Sequence, residues 1–322
     1  MLRYAINRIV AMVPILVLIS ILVFSLLKAM PGDPLDQMLQ NNPDFTYEDY
    51  MRLRAIYGLD DPIYVSYFKW ASQLVQGNLG YSRQYKIPVQ NLVGPRLQNT
   101  LILSVTSLLF ALTLALIIGV ISAVKQYSVF DYSSMAFAFF GFSVPNFWMA
   151  LMLIVLFSVN LHWLPPGGIQ SSDVAPGFWN LVTDRAKYLI MPIVITALAE
   201  MASWTRYTRN SLLDVLQLDY LRTARAKGLT EQAVVIKHAL KNSLLPLVTV
   251  VGASFSQFFA GAVITETVFS YPGIGKLLFD SVMGNDFVVS MAILMMLASI
   301  VLWGNLLADL LYGWIDPRIR YD

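Results

Sequence analysis

Few residues in this sequence have types and spacing that suggest chemistry. Glu200 is the only charge in the apolar stretch Tyr188 to Thr205. A carboxylate in such surroundings is destabilising unless it faces a polar path or a fixed partner, and Arg206 is the nearest candidate partner. Gly273-Ile-Gly275-Lys276 resembles a phosphate-binding loop, but Ser270 stands where its first glycine belongs and Leu277 where Ser or Thr is required. No nucleotide is therefore expected on this chain. Ser143 with His162 as base would make a nucleophile pair, but along one helix they would stand roughly 28 Å apart. Cysteine is absent, which removes disulfides, thiolate metal sites and cysteine nucleophiles, and two histidines are too few for an ordinary zinc site. No catalytic constellation or metal site emerges, and the chain is not expected to be an enzyme.

The elements that carry these residues follow from composition. Of 322 residues, 57% are hydrophobic and 13% charged, against roughly a quarter charged in soluble domains. Mean hydropathy is +0.61. The apolar residues come in long runs, and about 20 such residues span a bilayer. Ile9 to Leu27, Leu101 to Val124, Ser133 to Leu161, Leu244 to Thr265 and Phe287 to Ala308 carry no charge, and Tyr188 to Thr205 makes a sixth span. The first lacks a small-residue cleavage site and reads as a helix, not a signal peptide. Pro145, beside Gly141 and Ser143, breaks the third; a broken helix either lines a cavity or is a packing kink.

Six spans put both termini on one side. Arg3, Arg8, Lys125, the loop cluster Arg206, Arg209, Arg222, Arg225, Lys227, Lys237 and Lys241, and Arg318 with Arg320 all fall on that side. The short loops opposite offer Arg185, Lys187 and Lys276. Both termini are therefore expected in the cytoplasm. The chain divides into 1–30 (N-terminus and first span), 31–99 (an outer helical segment) and 100–322 (the core, with a cytoplasmic loop at 206–245). In the outer segment, Thr46 with Asp49 has capping-box spacing and Gly58 is placed to end that helix. Tyr64, Tyr67, Phe68, Ala71, Leu74 and Val75, followed by Gly77, predict a second short helix. These two helices either cover the span ends or dock a partner.

The loop at 206–245 is patterned. Ser211 with Asp214 has capping-box spacing, predicting a helix through Leu212, Leu213, Val215, Leu216, Leu218 and Leu221 that stops at Gly228. Thr230 caps a second helix, Glu231 to Asn242, and Pro246 opens the next span. Two helices hinged at a glycine, apolar on one side and basic on the other, form either a handle for another protein or a cap whose basic face meets anionic lipid headgroups.

The run Asp219-Tyr-Leu-Arg-Thr-Ala-Arg-Ala-Lys-Gly-Leu-Thr230, with Lys237-His-Ala-Leu-Lys-Asn-Ser-Leu-Leu-Pro246, closely resembles the cytoplasmic loop of dipeptide/oligopeptide permeases of type I ABC importers. Met30-Pro-Gly-Asp-Pro34, Tyr57-Gly-Leu-Asp-Asp-Pro62 with Gln76-Gly-Asn-Leu-Gly80, Phe142-Ser-Val-Pro-Asn-Phe147, Thr265-Glu-Thr-Val-Phe-Ser-Tyr-Pro-Gly-Ile-Gly275 and Asp316-Pro-Arg318 fit the same family in order, over nearly the whole chain. The Glu-Ala-Ala…Gly signature of the wider class is degenerate: Arg222-Thr-Ala224 replaces Glu-Ala-Ala, which matches the peptide branch.

The resemblance implies an all-α membrane protein with six spans, in a bacterial or archaeal cell membrane, that accepts di- or oligopeptides by alternating access. Related permeases also carry nickel or oligosaccharides. It implies a homologous second permease, two cytoplasmic ATPase subunits that hold the ATP and magnesium, an extracytoplasmic solute-binding protein and no nucleic acid. The ATPase-coupling segment would be Asp219, Tyr220, Arg222, Thr223, Ala224, Arg225, Ala226, Lys227 and Gly228. In it Ala224 and Ala226 would form a close-approach surface, Arg222, Arg225 and Lys227 a polar rim, and Gly228 the turn. Glu200, Ser143, Pro145 and Asn146 are candidates for the translocation path. Glu266 and Tyr271 are candidates for an outer gate or receptor contact, with a plain surface carboxylate as the alternative for Glu266. An ion-driven secondary transporter is the rival class; it calls for inverted repeats and several midplane charges, and the spans offer only Glu200.

Overall fold

A backbone in hydrocarbon must satisfy its own hydrogen bonds, and the computed structural model shows this chain doing so with helices. It describes residues 2–29, 46–56 and 60–315; Met30-Pro-Gly-Asp-Pro34, Tyr57, Gly58 and Asp316-Pro-Arg318 with Arg320 lie outside the described residues. The long helices are α1 (Leu2–Ala29), α4 (Val89–Val124), α7 (Phe178–Leu216) and α11 (Phe287–Ile315). To these is added α9, which runs Glu231–Ala233, a π-wound Val234–Ala239 and Leu240–Val268 without interruption. Shorter helices are α2 (Tyr47–Ile56), α3 (Ile63–Val75), α5 (Val129–Ser143), α6 (Asn146–Leu153, prolonged by a π-wound Ile154–Asn160), α8 (Asp219–Ala226) and α10 (Ile274–Met283). Among the described residues five helices are long and apolar enough to cross a membrane, and the pair α5–α6, bent by 106°, makes a sixth crossing if taken as one.

Packing settles how the bent pair counts. Gly119 of α4 lies against Thr205 and Thr208 of α7, while Ala111 and Ala115 share a cluster with Ala197, Leu198, Met201 and Trp204. Residue numbers rise together, so α4 and α7 are parallel. The chain must return between them, and α5–α6 makes that return. Asp131 pairs with Arg209, Gly141 lies against Leu198 and Ala202, and Ala150 clusters with Met191 and Ile195, an antiparallel run along α7. Pro145 starts α6 with Val144 extended before it, since an imino acid cannot continue the α5 hydrogen-bond ladder.

Along α4 beyond Asn99 the buried residues are small, Thr100, Ser104, Ser107, Ala111, Ala115, Gly119, Ser122 and Ala123, apart from Leu103. Small residues let two helices approach in lipid, where close van der Waals packing replaces a hydrophobic drive. At the other edge α1 runs antiparallel to α11, with Arg8 3.0 Å from Asp309 at one end and Phe24, Leu27 and Met291 clustered toward the other. The first turns of α4 pack on α10 and the start of α11. The start of α1 and the end of α11 therefore share the end of the bundle that holds α8, here called the basic end.

The expected capping box forms in α2: the Thr46 N–H donates to Asp49 Oδ2 (3.1 Å) and the Asp49 N–H to Thr46 Oγ1 (3.2 Å). The Thr46 hydroxyl, which donates to Asp49 Oδ2 at 2.7 Å, and then the Thr46 N–H hold the Asp49 carboxyl below its ordinary value. α3 lies against α1 through Tyr67 and Trp70, and Tyr67 shares a 2.8 Å hydrogen bond with Ser20. Gly77, at φ 78°, ends α3 as expected.

Three expectations need correction. Ser211 opens no helix: α7 continues through it to Leu216, and the Ser211 hydroxyl instead donates to the Ser243 carbonyl of α9 at 2.8 Å. The break falls at Gln217 and Leu218, which carry no glycine or proline signal. Pro246 lies inside Leu240–Val268 and opens nothing, because Glu231–Ala233 and its π-wound continuation run directly into that helix. The second span starts at Val89, so the division at residues 99 and 100 cuts through α4. The break that Pro145 predicts in the third span does form.

A methyl on Gly119 would sit 2.7 Å from Thr208 Cβ and 2.9 Å from the Thr205 carbonyl oxygen, whereas one on Gly94 meets nothing within 4 Å. Gly119→Ala is expected to destabilise by about 1–3 kcal/mol, and Gly94→Ala to stabilise by up to about 1 kcal/mol. Thermal unfolding of both variants in mild detergent checks the difference.

Candidate functional site

At the basic end α8 is mounted on the bundle by one stripe. Leu221 and Ala224 are buried in a cluster with Ala123 of α4, Leu212 of α7, and Val234, Val235 and Ala239 of α9. The other residues of the segment, Asp219, Tyr220, Arg222, Thr223, Arg225, Ala226, Lys227 and Gly228, are exposed. Ala224 therefore faces the protein's own core, and its expected place on a docking surface is corrected; Ala226 keeps that exposure. The spacing of Leu221 and Ala224 is that of neighbours on one helix face, so both must turn inward together.

The edges of α8 are fixed as well. The Tyr220 hydroxyl donates to the His238 carbonyl (3.2 Å) and accepts from Asn242 Nδ2 (2.9 Å). Arg225 holds Glu231 with two hydrogen bonds, Nε to Oε2 at 3.0 Å and Nη2 to Oε1 at 2.8 Å, across the turn at Gly228. This bond pushes the Arg225 guanidinium pKa upward. Gly228 has φ 80° and open space around it, so backbone conformation alone requires glycine there. Thr230 caps the next turn, accepting from the Ala233 N–H at 3.4 Å. The result is a short basic helix seated by its apolar stripe, with its polar face outward and uncovered among the described residues.

The candidate path residues do not converge. Ser143 and Pro145 are exposed at the α5–α6 break, and Asn146 is half-buried there. Leu198 and Ala202 face α5 at Gly141. Glu200, two positions from each, lies about 200° around the helix from that contact. Its carboxyl is turned toward Ser254 of α9 instead. The expected pair with Arg206 is not formed; that guanidinium sits 6.0 Å over the Phe142 ring. Ser143 donates to the Phe139 carbonyl at 2.8 Å, and the His162 ring bonds the Ser158 carbonyl at 3.0 Å, so neither serves the other.

Glu266 and Tyr271 are corrected. Both are buried, at 0% and 1% exposure, and present nothing to a receptor. Glu266 is also no surface carboxylate. Its Oε1 accepts from Thr100 Oγ1 (2.5 Å) and its Oε2 from the Lys276 N–H (3.0 Å), while Thr100 accepts from the Ile274 N–H (2.8 Å). This explains the phosphate-loop look of Gly273-Ile-Gly275-Lys276. The glycines open a helix start to an anion, and the anion is the protein's own Glu266; a methyl on Gly273 would lie 2.1 Å from its Oε1. Tyr271 donates to the Asn99 carbonyl (3.2 Å), closing the same knot on α4.

One group was missed from the sequence. Asp131 is 2% exposed and Arg209 14%, and they form a two-pronged pair, Nε to Oδ1 at 2.6 Å and Nη2 to Oδ2 at 2.7 Å. Ser122 Oγ and the Tyr127 N–H (3.0 Å) fill the remaining positions on the carboxylate. The signal was Ser128 three residues before Asp131, a capping spacing that the structure realises at 3.2 Å.

Comparison with known proteins follows this geometry. Residues 115–321 match a family model described as binding-protein-dependent transport system inner membrane component, and residues 1–116 match the N-terminal model of such membrane components. The chain is 44% identical over 322 residues, all of both chains, to the oligopeptide transport system permease protein AppB of Bacillus subtilis (strain 168). It is 36% identical to the dipeptide transport system permease protein DppB of Escherichia coli (strain K12), over 100% of this chain and 99% of that one. A di/tripeptide transport system permease protein DppB of Pseudomonas aeruginosa (strain UCBPP-PA14) is 38% identical over the whole of both chains. Among solved structures, the MetNI methionine ABC transporter in inward-facing form matches at TM-score 0.55 and 18% identity, over 70% of this chain and 97% of that chain. The fold is thus that of a type I ABC importer permease.

Glu266→Ala removes the acceptor from Thr100 and from the α10 start, leaving buried donors unmet. The expected loss is on the order of 1–3 kcal/mol for each such group, with Glu266→Gln losing less. Thermal unfolding in detergent ranks the two variants.

Proposed function

We infer that this chain, which belongs to the binding-protein-dependent transport system inner membrane components, is one of two membrane-spanning subunits of an ATP-driven importer of di- and oligopeptides. The names of its full-length relatives support the solute class. The rigidly mounted, outward-facing basic helix α8 is the observation that carries the coupling role.

The two termini and α8 lie in the cytoplasm, in keeping with the surplus of Lys and Arg at the basic end. A homologous permease stands beside this one to complete the path between them. Two cytoplasmic ATPase subunits hold the ATP and magnesium, and one receives the exposed face of α8, with Arg222, Arg225 and Lys227 on its rim. A solute-binding protein delivers the peptide at the opposite end. This chain makes and breaks no bonds. Movement of the ATPases displaces α8, and the cluster of Leu221, Ala224, Leu212, Ala123 and Val234 passes that displacement to α4, α7 and α9 together.

Gly228→Val forces a branched residue to φ 80°, which is strained for any side chain with a Cβ. It is expected to abolish coupled peptide uptake in vesicles while membrane insertion stays intact. Normal uptake by this variant would remove α8 from the coupling role. Glu200→Gln tests the path: a weakened affinity for peptides with a free amino terminus, relative to N-acetylated ones, places Glu200 in contact with solute. Unchanged affinity for both removes it from the solute path.

A further inference from the structure

α5 is a poorly held helix. Of its residues Val129–Ser143, only Asp131, Ala138 and Gly141 are buried, and Phe137, Phe139, Phe140 and Phe142 are exposed. Ala138 and Gly141 offer small, slippery surfaces. The polar contact that fixes its position is Asp131, whose two oxygens take four donors: two from Arg209 of α7, one from Ser122 of α4 and one from the turn at Tyr127. The node sits beside the seat of α8. Ala123, next to Ser122, and Leu212, one turn beyond Arg209, both touch the cluster that holds Leu221 and Ala224.

We propose that the Asp131–Arg209 pair is a positioning clasp that makes the broken helix α5–α6 follow the coupling helix α8, so that α4, α5 and α7 move as one body when the ATPases close. The proposal rests on the importer reading above and adds to it the part that carries the motion. With the clasp intact, a push on α8 reaches α5 through one rigid node. Without it, α4 and α7 still move, because their packing at Gly119, Ala111 and Ala115 does not involve Asp131, but α5 is held by its small-residue contacts and the Arg206 guanidinium over Phe142, and lags.

The test uses the whole reconstituted importer with Asp131→Asn, which keeps the shape and the acceptor for Ser122 and sets an amide N–H against the Arg209 guanidinium. The native chain has no cysteine, so spin labels at Phe139→Cys on α5 and Tyr207→Cys on α7 report their separation. The expected result is normal assembly with the ATPases, unchanged basal ATP hydrolysis, and uptake per ATP lowered about tenfold, within the range usual for coupling between sites. The label separation should be independent of nucleotide in the parent and nucleotide-dependent in Asp131→Asn. Uptake per ATP at the parent value, failure of the variant to assemble although the chain folds, or a parent separation that itself changes with ATP each overturns the clasp. If Asp131→Asn is not recovered folded, Ser122→Ala decides: an intermediate ratio supports the clasp and the parent ratio removes it. A parent chain that stimulates no ATPase would contradict the importer reading, a result distinct from failure of the clasp.

Discussion

The approach of α4 to α7 is the contact on which the remainder of the structure depends. It is possible because α4 places serine, alanine and glycine along one face, down to Gly119 against the Thr205 carbonyl. In lipid there is little hydrophobic gain from helix pairing, so contact distance decides its strength. The same helix carries the anchors at both ends. Thr100 holds Glu266 and the start of α10 at one end, and Ser122 and Ala123 meet Asp131 and the seat of α8 at the other. An added methyl in the seam would separate two ends that now share a single rigid strut.

The rigidity is unevenly distributed, and its distribution matches a device that moves as blocks. Glu266, Thr100, Tyr271 and Asn99 lock α4, α9 and α10 into a fixed knot opposite the basic end. α1 and α3 lean on α11 from outside through Phe24, Tyr67 and Trp70. Between these, α5–α6 turns through 106° and shows most of its apolar surface. π-wound turns occur at Ile154–Asn160 and Val234–Ala239, the latter after the first turn of α9 that follows Gly228. Wider turns of this kind recur at functional positions because their backbone bonding is less tight. The bundle thus has a stiff outer knot, a stiff seam and a softer return helix.

What could be read from the sequence was whatever lipid and local backbone rules dictate. Six apolar stretches, the cap at Thr46, the stop at Gly77, the turn at Gly228 and the cap at Thr230 all reappear. The break at Gln217 and Leu218 could not be seen, since no residue there is forbidden from a helix; tertiary seating of Leu221 and Ala224 creates it. Pro246 misled for a related reason, as a membrane helix tolerates proline within its length. Glu266 was read as exposed because its partner Thr100 is 166 residues away, and the capping spacing at Ser211 was local pattern without a helix end. The coupling segment was legible from resemblance, while the inward turn of Ala224 required the fold.

The central claim is that this chain is a membrane subunit that an ATPase drives through α8. The most direct measurement is purification of the tagged native protein in mild detergent, with its companions identified by mass and ATP hydrolysis recorded after reconstitution. The account predicts a second permease of the same family, one or two nucleotide-binding subunits, and hydrolysis stimulated by a solute-loaded binding protein. Recovery of this chain alone, with no ATPase stimulated and with uptake driven by an ion gradient, would contradict it.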